Sequence, residues 1–361
     1  MKRINRMLCM LMILSVSVWS LMGCGSQGQQ SGATLPESAA GTGRSDSLRI
    51  VTTSYPQYDF VRQILGNNPA GIEVTYLLGS GVDMHNFQPS AEDIISIRTS
   101  DLFLYIGGES DLWVETLIGQ IREDAFRPVA LADMVEMKAE KIVEGMQHEH
   151  EEDDDDHSHE EEDDHDHVQD GEVLPADDDS RSSEFDEHVW LSLKNAEAMV
   201  DAVCDEITAL DPEHKAFYLE NAAAYITQIR ELDSRYAEMV QSAGRKTILV
   251  ADRFPFRYLA DDYGLTYYAA FPGCSAETEA SFDTVVFLAE KVGELKLPAV
   301  FKIEGSNGKI AETVIANSTQ PEAGILTLNS IQSVSNEDIT AGVSYLGLME
   351  ENLNQLKEAL N

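Results

Sequence analysis

Positive charge is scarce in this 361-residue chain: 25 Lys and Arg stand against 64 Asp and Glu, for a formal net charge of −39. Such a polyanion has no basic patch with which to neutralise phosphates. Nucleic acid is therefore excluded as a partner, and cations are the natural guests. Cysteine is scarce as well. Four are present, too few for a disulfide framework, and a single bridge between Cys204 and Cys274 would depend on a Cα separation that sequence does not supply. Beyond the N-terminus no apolar run is long enough to span a bilayer. Catalytic signatures are missing too: there is no paired-histidine hydrolase motif, no nucleophile elbow and no phosphate loop. A metallohydrolase, the enzyme-class alternative for His, Asp and Glu in an α/β cleft, thus finds no motif to stand on.

Among what is present, Lys2, Arg3 and Arg6 precede the apolar run MLCMLMILSVSVW, the n-region and h-region of a signal peptide. LMGC, Leu21 to Cys24, resembles the bacterial lipobox, with Met22 unusual at its −2 position. The expectation is a signal over residues 1–23, cleavage after Gly23, and a lipid on Cys24 that anchors an extracytoplasmic protein to the membrane. Residues 24–47, rich in Gly, Ser and Gln, read as a flexible tether to a body that begins at Leu48.

From there strand and helix patterns alternate. LRIVTTSYPQYDFVRQIL reads as a buried strand, a turn at Tyr55-Pro56 and an amphipathic helix; IEVTYLLGS is a strand; SAEDIISIRTS is a helix with Ser90 as N-cap and Asp93 as its capping-box partner. The alternation predicts an α/β fold with mostly parallel sheets. After Asp211 (N-cap) and Pro212 (first helical residue) nothing breaks the helical pattern until Gly244, which predicts one helix of about 30 residues acting as a strut. The architecture expected is two (β/α) lobes, at 48–210 and 245–361, joined by a single long rigid helix over 211–244.

One segment cannot belong to either core. HEHEEDDDDHSHEEEDDHDH, His148 to His167, holds six histidines and thirteen carboxylates in twenty residues. The surrounding stretch, about 145–183, reads as a disordered insertion in the first lobe. Only His85, His188 and His214 lie outside it. His214 falls in the first turn of the strut, on its surface, and is not taken as a ligand. His85 lies in GSGVDMHNFQPSAED, a loop that follows a strand, where open α/β sheets bind ligands. His188 lies in DEHVWLSL, behind Asp186 and Glu187 and beside Trp190.

TTSYPQYDFVRQILG, GVDMHNFQPSAED, DLFLYIGGESDLW, DEHVWLSLKNA, the strut, SAETEAS and YLGLMEENLNQL together resemble the metal-binding substrate-binding proteins of ABC importers, the zinc importer binding protein and TroA-like family. The resemblance covers nearly everything after Leu48. It implies a divalent metal, zinc or manganese, carried as cargo in the cleft between two lobes and delivered to an ABC importer permease by a monomeric, non-enzymatic protein of the cluster A-I type. Its first ligand, in a Gly-x-Asp-x-His loop, matches His85, and its second, in Asp-Pro-His-x-Trp, matches His188, with Glu187 in place of proline. The third, a His or Glu opening His-x-Ala-Phe-x-Tyr, falls on Arg253 of RFPFRY, and the fourth, an Asp, falls on Asn329 of TLNSIQ.

Arginine repels a cation, so either a carboxylate neutralises Arg253 or the second half of the site is rebuilt. Asp252 and Glu277 are the replacement ligands favoured here, with Cys274 below them because a free cysteine is more often a small buried hydrophobe. Histidine-rich acidic insertions at this place resemble those of the zinc members, which favours zinc over manganese. His148, His150, His157, His159, His165 and His167 then read as a low-affinity collector, since a disordered run loses too much entropy to form the tight site. Its imidazoles protonate as pH falls toward about 6, which weakens capture. A surface metal buffer or adhesin without a transport role is the other class that the sequence leaves open.

Overall fold

Alternating apolar and polar segments produce two parallel sheets of identical strand order. The computed structural model describes residues 47–121, 127–146, 185–275 and 279–361. The signal, Cys24, the tether, the His148–His167 run and Glu277 lie outside the described residues. In the first lobe β1 (Arg49–Thr52), α1 (Tyr55–Leu65), β2 (Glu73–Tyr76), α2 (Ala91–Thr99), β3 (Leu102–Tyr105), α3 (Leu112–Ile118) and β4 (Arg127–Ala130) build a sheet ordered β2-β1-β3-β4. Helices α4 (Leu193–Leu210) and α5 (Lys215–Ser242) follow. The second lobe comprises β5 (Thr247–Phe254), α6 (Arg257–Tyr263), β6 (Thr266–Pro272), α7 (Phe282–Glu294), β7 (Ala299–Ile303), α8 (Lys309–Asn317), β8 (Gly324–Leu328), α9 (Asn336–Thr340) and α10 (Tyr345–Leu360). Its sheet runs β6-β5-β7-β8.

Each sheet reverses direction of growth after its first strand. The crevice beyond the strands' carboxyl ends at that reversal is where such sheets bind ligands. The loops after β2, β3, β5, β6 and β7 all leave from carboxyl ends, and they carry the residues considered below.

Local signals explain most boundaries. Ser90 caps α2 through a reciprocal box, its Oγ accepting from Asp93 N at 3.2 Å while Asp93 Oδ2 accepts from Ser90 N at 2.8 Å. The turn expected at Tyr55-Pro56 is instead the first turn of α1, where proline gives up no intrahelical hydrogen bond. The strut differs at its start. Pro212–His214 form a 3-10 turn and the α-helix begins at Lys215, because the Asp211 carboxylate accepts from His214 Nδ1 and Tyr218 Oη, each at 2.7 Å. The 28 α-helical residues span about 42 Å.

The lobes share one core. Ile50 and Phe60 of the first lobe, Met199, Tyr225 and Tyr236 of α4 and α5, and Val250, Phe301 and Leu353 of the second belong to a single buried cluster. Hydrogen bonds cross between the lobes inside it: Trp190 Nε1 donates to Ser330 O (2.8 Å), Tyr76 Oη to Val334 O (2.9 Å), Tyr55 Oη to Val343 O (2.7 Å) and Tyr345 Oη to Trp190 O (2.6 Å). Such an interface resists rotation of one lobe against the other, since each of these carbonyls would lose its partner in a dry site. Cys204 and Cys274 are both free, so the bridge that sequence left open is absent.

Replacing Tyr345 with Phe removes one of these donors and leaves the Trp190 carbonyl without it. The expected cost is about 1–3 kcal/mol, read as a lower urea midpoint at unchanged m-value. An unchanged midpoint would show that this bond contributes nothing to joining the lobes.

Candidate metal centre

His85 is positioned by its own loop. Met84–Asn86 make one 3-10 turn after β2, and Asp83 caps it by accepting from His85 N at 3.1 Å. His188 leads another such turn, Val189–Leu191. Asp186 Oδ1 accepts from both the backbone N (2.9 Å) and the ring Nδ1 (2.8 Å) of His188. The His188 side chain is fully buried, with the Trp190 ring 5.3 Å away between centroids.

These two loops, 103 residues apart in sequence, bring His85 Nε2 and His188 Nε2 to 3.2 Å from each other. Both Nδ1 atoms face oxygen. His85 Nδ1 lies 3.0 Å from Glu187 Oε1 and 2.8 Å from Ser110 Oγ. A 3.2 Å contact suits a hydrogen bond from one Nε2 to the other. When both rings carry their proton on Nδ1, the oxygens behind them can accept it and both Nε2 lone pairs are free for one cation. A cation placed there takes the place of that shared proton. Two nitrogens bound at 2.0–2.1 Å to a tetrahedral zinc lie about 3.3 Å apart, so the spacing needs little adjustment. Carboxylates behind metal-binding imidazoles fix the tautomer and strengthen the donor.

Glu187 is the residue that sequence reading mentioned but gave no role. Where the family pattern has proline, its fully buried carboxylate takes the Ser110 amide (Oε2, 3.0 Å), the Ser110 hydroxyl and the His85 ring. Burial alone would raise its pKa, but the hydrogen bond and charge of His85, with His188 and Ser110, outweigh burial and hold it below the ordinary range. His188 shifts the opposite way. Burial would lower it, yet its Asp186 hydrogen bond and the charges of Asp186 and Glu187 raise it. The available signal was the substitution itself, a carboxylate beside a candidate ligand.

Among the described residues, one group of His, Cys, Asp and Glu could converge on an ion: His85, Glu187 and Cys274, whose ligand atoms lie within 4.8 Å of one another. Asp252, favoured from sequence, is not part of it. A register shift between Val250 and Arg253 in the β5–β6 pairing marks a bulge, which re-aims side chains, and Asp252 Oδ1 there accepts from Arg253 N at 3.0 Å. Glu277, the other favoured acid, the six histidines of the run, and Cys24 lie outside the described residues. His214 pairs with Asp211, far from this group in role. Burial, followed by the charges of Glu187, Glu140 and Asp186, pushes the Cys274 thiol well above its usual range.

Arg253 does not project a bare charge at the site. Its Nη2 meets Asp83 Oδ2 at 2.5 Å, so the loop that carries His85 also supplies the counter-charge. Burial raises the Asp83 carboxyl, but the Arg253 charge and hydrogen bond, joined by His85, outweigh it and bring it below the usual value. At the fourth family position the Asn329 side-chain oxygen accepts from Ile331 N at 2.8 Å. Glu304, at the end of β7, grips the same loop through Ser330 N (2.7 Å) and Oγ (2.5 Å). The buried Ile331 adopts φ +64°, a costly conformation for a β-branched residue that tightly braced surroundings sustain.

Comparison with known proteins bears on this geometry. The family model described as zinc-uptake complex component A, periplasmic, matches residues 50–359. The chain belongs to this family. The zinc-binding lipoprotein AdcA of Streptococcus pneumoniae (strain ATCC BAA-255 / R6) is 32% identical over 351 residues, covering 96% of this chain and 60% of that protein. This chain thus spans about three fifths of that relative's length. The high-affinity zinc uptake system protein ZnuA of Bacillus subtilis (strain 168) is 28% identical over 322 residues, covering 88% of this chain and 89% of the relative. Among solved structures, the Zn(II)-bound ZnuA-like domain of S. pneumoniae AdcA gives a TM-score of 0.65 at 28% identity, covering 87% of this chain and 99% of that one. The B. subtilis lipoprotein YcdH, at 24% identity and a TM-score of 0.67, covers 87% of this chain and 99% of its own, and shares the fold. Members of this family are solute-binding components of zinc uptake, and the two parallel-sheet lobes with a long linking helix are the family's fold.

The Asp83–Arg253 pair makes a testable link to pH. Because the folded pKa of Asp83 is depressed, the pair stabilises the fold above the unfolded carboxylate value of about 3.9, and that contribution is lost as pH falls through the lower folded value. Arg253→Ala should therefore destabilise the protein by about 1–3 kcal/mol at pH 7, with the deficit shrinking below about pH 4. Urea midpoints at the two pH values read this directly. A deficit of equal size at both would mean that the arginine acts through packing.

Proposed function

We propose that this protein captures zinc outside the cytoplasm and delivers it to the permease of an ABC importer, without performing catalysis on it. The observation that carries this reading is the meeting of His85 and His188, two carboxylate-held imidazoles with Nε2 atoms 3.2 Å apart, in the crevice between the sheets. A pair of imidazoles suits zinc, copper or nickel, whereas manganese prefers oxygen donors. The names of the relatives and the zinc-bound solved domain point the same way for those proteins. Manganese is the second metal to test, because the carboxylates beside the histidines are oxygen donors.

His85 and His188 serve as ligands in this reading, with Glu277 as an acidic donor available from the second lobe. Asp252 remains the alternative if the bulged strand shifts on binding. The lipid on Cys24 keeps a monomeric protein at the outer face of the membrane, near its permease. The His148–His167 run collects cations at low affinity, its carboxylates concentrating them and its His-x-His pairs chelating them. Release proceeds by shifts of the His85 and His188 loops more than by lobe rotation, because the core is continuous through both lobes.

Zinc stoichiometry and affinity, measured by chelator competition on the chain from Gly25 onward, test the assignment. With His148–His167 deleted, weak binding should disappear and one tight site remain. His188→Ala should then lower the tight affinity by at least about 100-fold. Loss of tight binding on deletion of the run alone would place the cargo site in the run and overturn the reading. Small-angle scattering profiles with and without zinc should superimpose; a marked contraction would instead show lobe closure.

A further inference from the structure

We propose that Cys274 is a third protein ligand of the metal held by His85 and His188, so that the cleft is a mixed nitrogen–sulfur site. The inference rests on the cleft being the cargo site and adds to it the donor that the second lobe contributes.

Three observations bear on it. The Cys274 sulfur belongs to the one described group whose donor atoms lie within 4.8 Å of each other, with His85 and Glu187. His188 is not in that group and joins it through its 3.2 Å Nε2 contact with His85, so one ion at bond lengths of about 2.0–2.3 Å gathers both rings and the sulfur once the Cys274 and His188 side chains rotate toward it. The turn that carries Cys274 is pressed against the other histidine. A Cβ built on Gly273 would lie 3.0 Å from Phe254 O, 3.2 Å from Pro255 Cα and 3.3 Å from His188 Cε1, the ring carbon between the two nitrogens. A side chain at that position would require these neighbours to give by a few tenths of an ångström, so glycine lets the turn approach His188 closely, with Cys274 the next residue. Glu140 Oε1 accepts from Cys274 N at 3.0 Å and ties the turn down.

The strand pairing explains why this turn supplies the donor. Arg253 and Phe254 of β5 pair with Phe271 and Pro272 of β6, so Cys274 emerges beside the position where the family pattern places its third ligand. Arg253, at that position, is occupied by Asp83. Glu187 is a weaker candidate for direct ligation because its oxygens already serve the Ser110 amide, the Ser110 hydroxyl and His85 Nδ1; it orients the ring. The surroundings of Cys274, with Glu140, Glu187 and His85 close by, are also not those of a cysteine used as a small hydrophobe. Cys204, buried among apolar residues of the core, fits that role.

Binding exchanges the thiol proton for the metal: the S–H bond breaks, the sulfur pair forms the metal–sulfur bond, and the proton leaves to solvent. A thiolate beside two imidazoles favours zinc strongly over manganese.

Cobalt(II) is the probe that separates this from the underlying reading. On the chain from Gly25 onward lacking His148–His167, one equivalent of Co²⁺ should produce visible d–d bands of tetrahedral intensity together with a near-ultraviolet sulfur-to-cobalt charge-transfer band. Cys274→Ser should remove the near-ultraviolet band while retaining the visible ones, and should weaken zinc binding by about 10–100-fold. Cys204→Ser should leave both features intact. Visible bands without the near-ultraviolet band in the unsubstituted chain would overturn thiolate ligation while leaving the cleft as the metal site. Absence of stoichiometric cobalt binding, with the fold intact by circular dichroism, would overturn the cleft reading along with it.

Discussion

Everything proposed for this protein depends on two tilted imidazoles brought Nε2 to Nε2 by the groups behind their other nitrogens. Asp186 grips His188 at both its amide and its ring. Glu187 and Ser110 do the same for the far nitrogen of His85. Neighbouring residues in one short segment thereby provide one ring and orient the other. Without these partners either imidazole could rotate, and less would hold the two Nε2 atoms at 3.2 Å. The arrangement is preorganised: the rings already stand at the spacing of two donors to one ion, and a cation displaces the proton between them.

Charge balance around this pair follows from the same constraint. A strongly anionic protein can draw cations toward its cleft, yet it places an arginine next to the site. Pairing with Asp83 makes Arg253 a tie between the loop of His85 and the end of β5, so the substitution that removes a candidate ligand also anchors one. The lost donor function then shifts to a neighbouring strand end, where the Gly273-Cys274 turn abuts His188. On this view, the site combines a family position that has become structural with an adjacent one that has become chemical.

The two lobes hold their loops in register because they are not independent bodies. A single apolar cluster passes from α1 through α4 and α5 into β5, β7 and α10, and buried tyrosine and tryptophan donors cross it. Trp190, two residues after His188, donates to the carbonyl of Ser330, which Glu304 holds from the other side. The histidine is thus coupled to the strained Ile331 loop through packed, hydrogen-bonded groups, and movement on release is directed into the short loops.

The fold class, the alternation of strands and helices, the Ser90 cap and the long helix were legible in the amino-acid order, because hydrophobic periodicity and capping are local properties. The short α9 was not, because five residues set up no hydrophobic periodicity even behind the Ser335–Asp338 capping box; nor was the late start of α5, where His214 and Tyr218 both bind the Asp211 carboxylate. His85 and His188 could be singled out because histidine is rare outside the acidic run and both lie in loops with family motifs. What sequence alone could not decide was which oxygen faces which nitrogen. Glu187 as the partner of His85, Asp83 as the partner of Arg253, the exclusion of Asp252 from the cluster and the approach of Cys274 all depend on distances between residues tens to hundreds of positions apart. Such distances are set by how the two sheets pack and where β5 bulges. The sequence by itself determined the elements and the supply of donors; the tertiary structure alone decided which donors face one another, because convergence at a point is a property of packing.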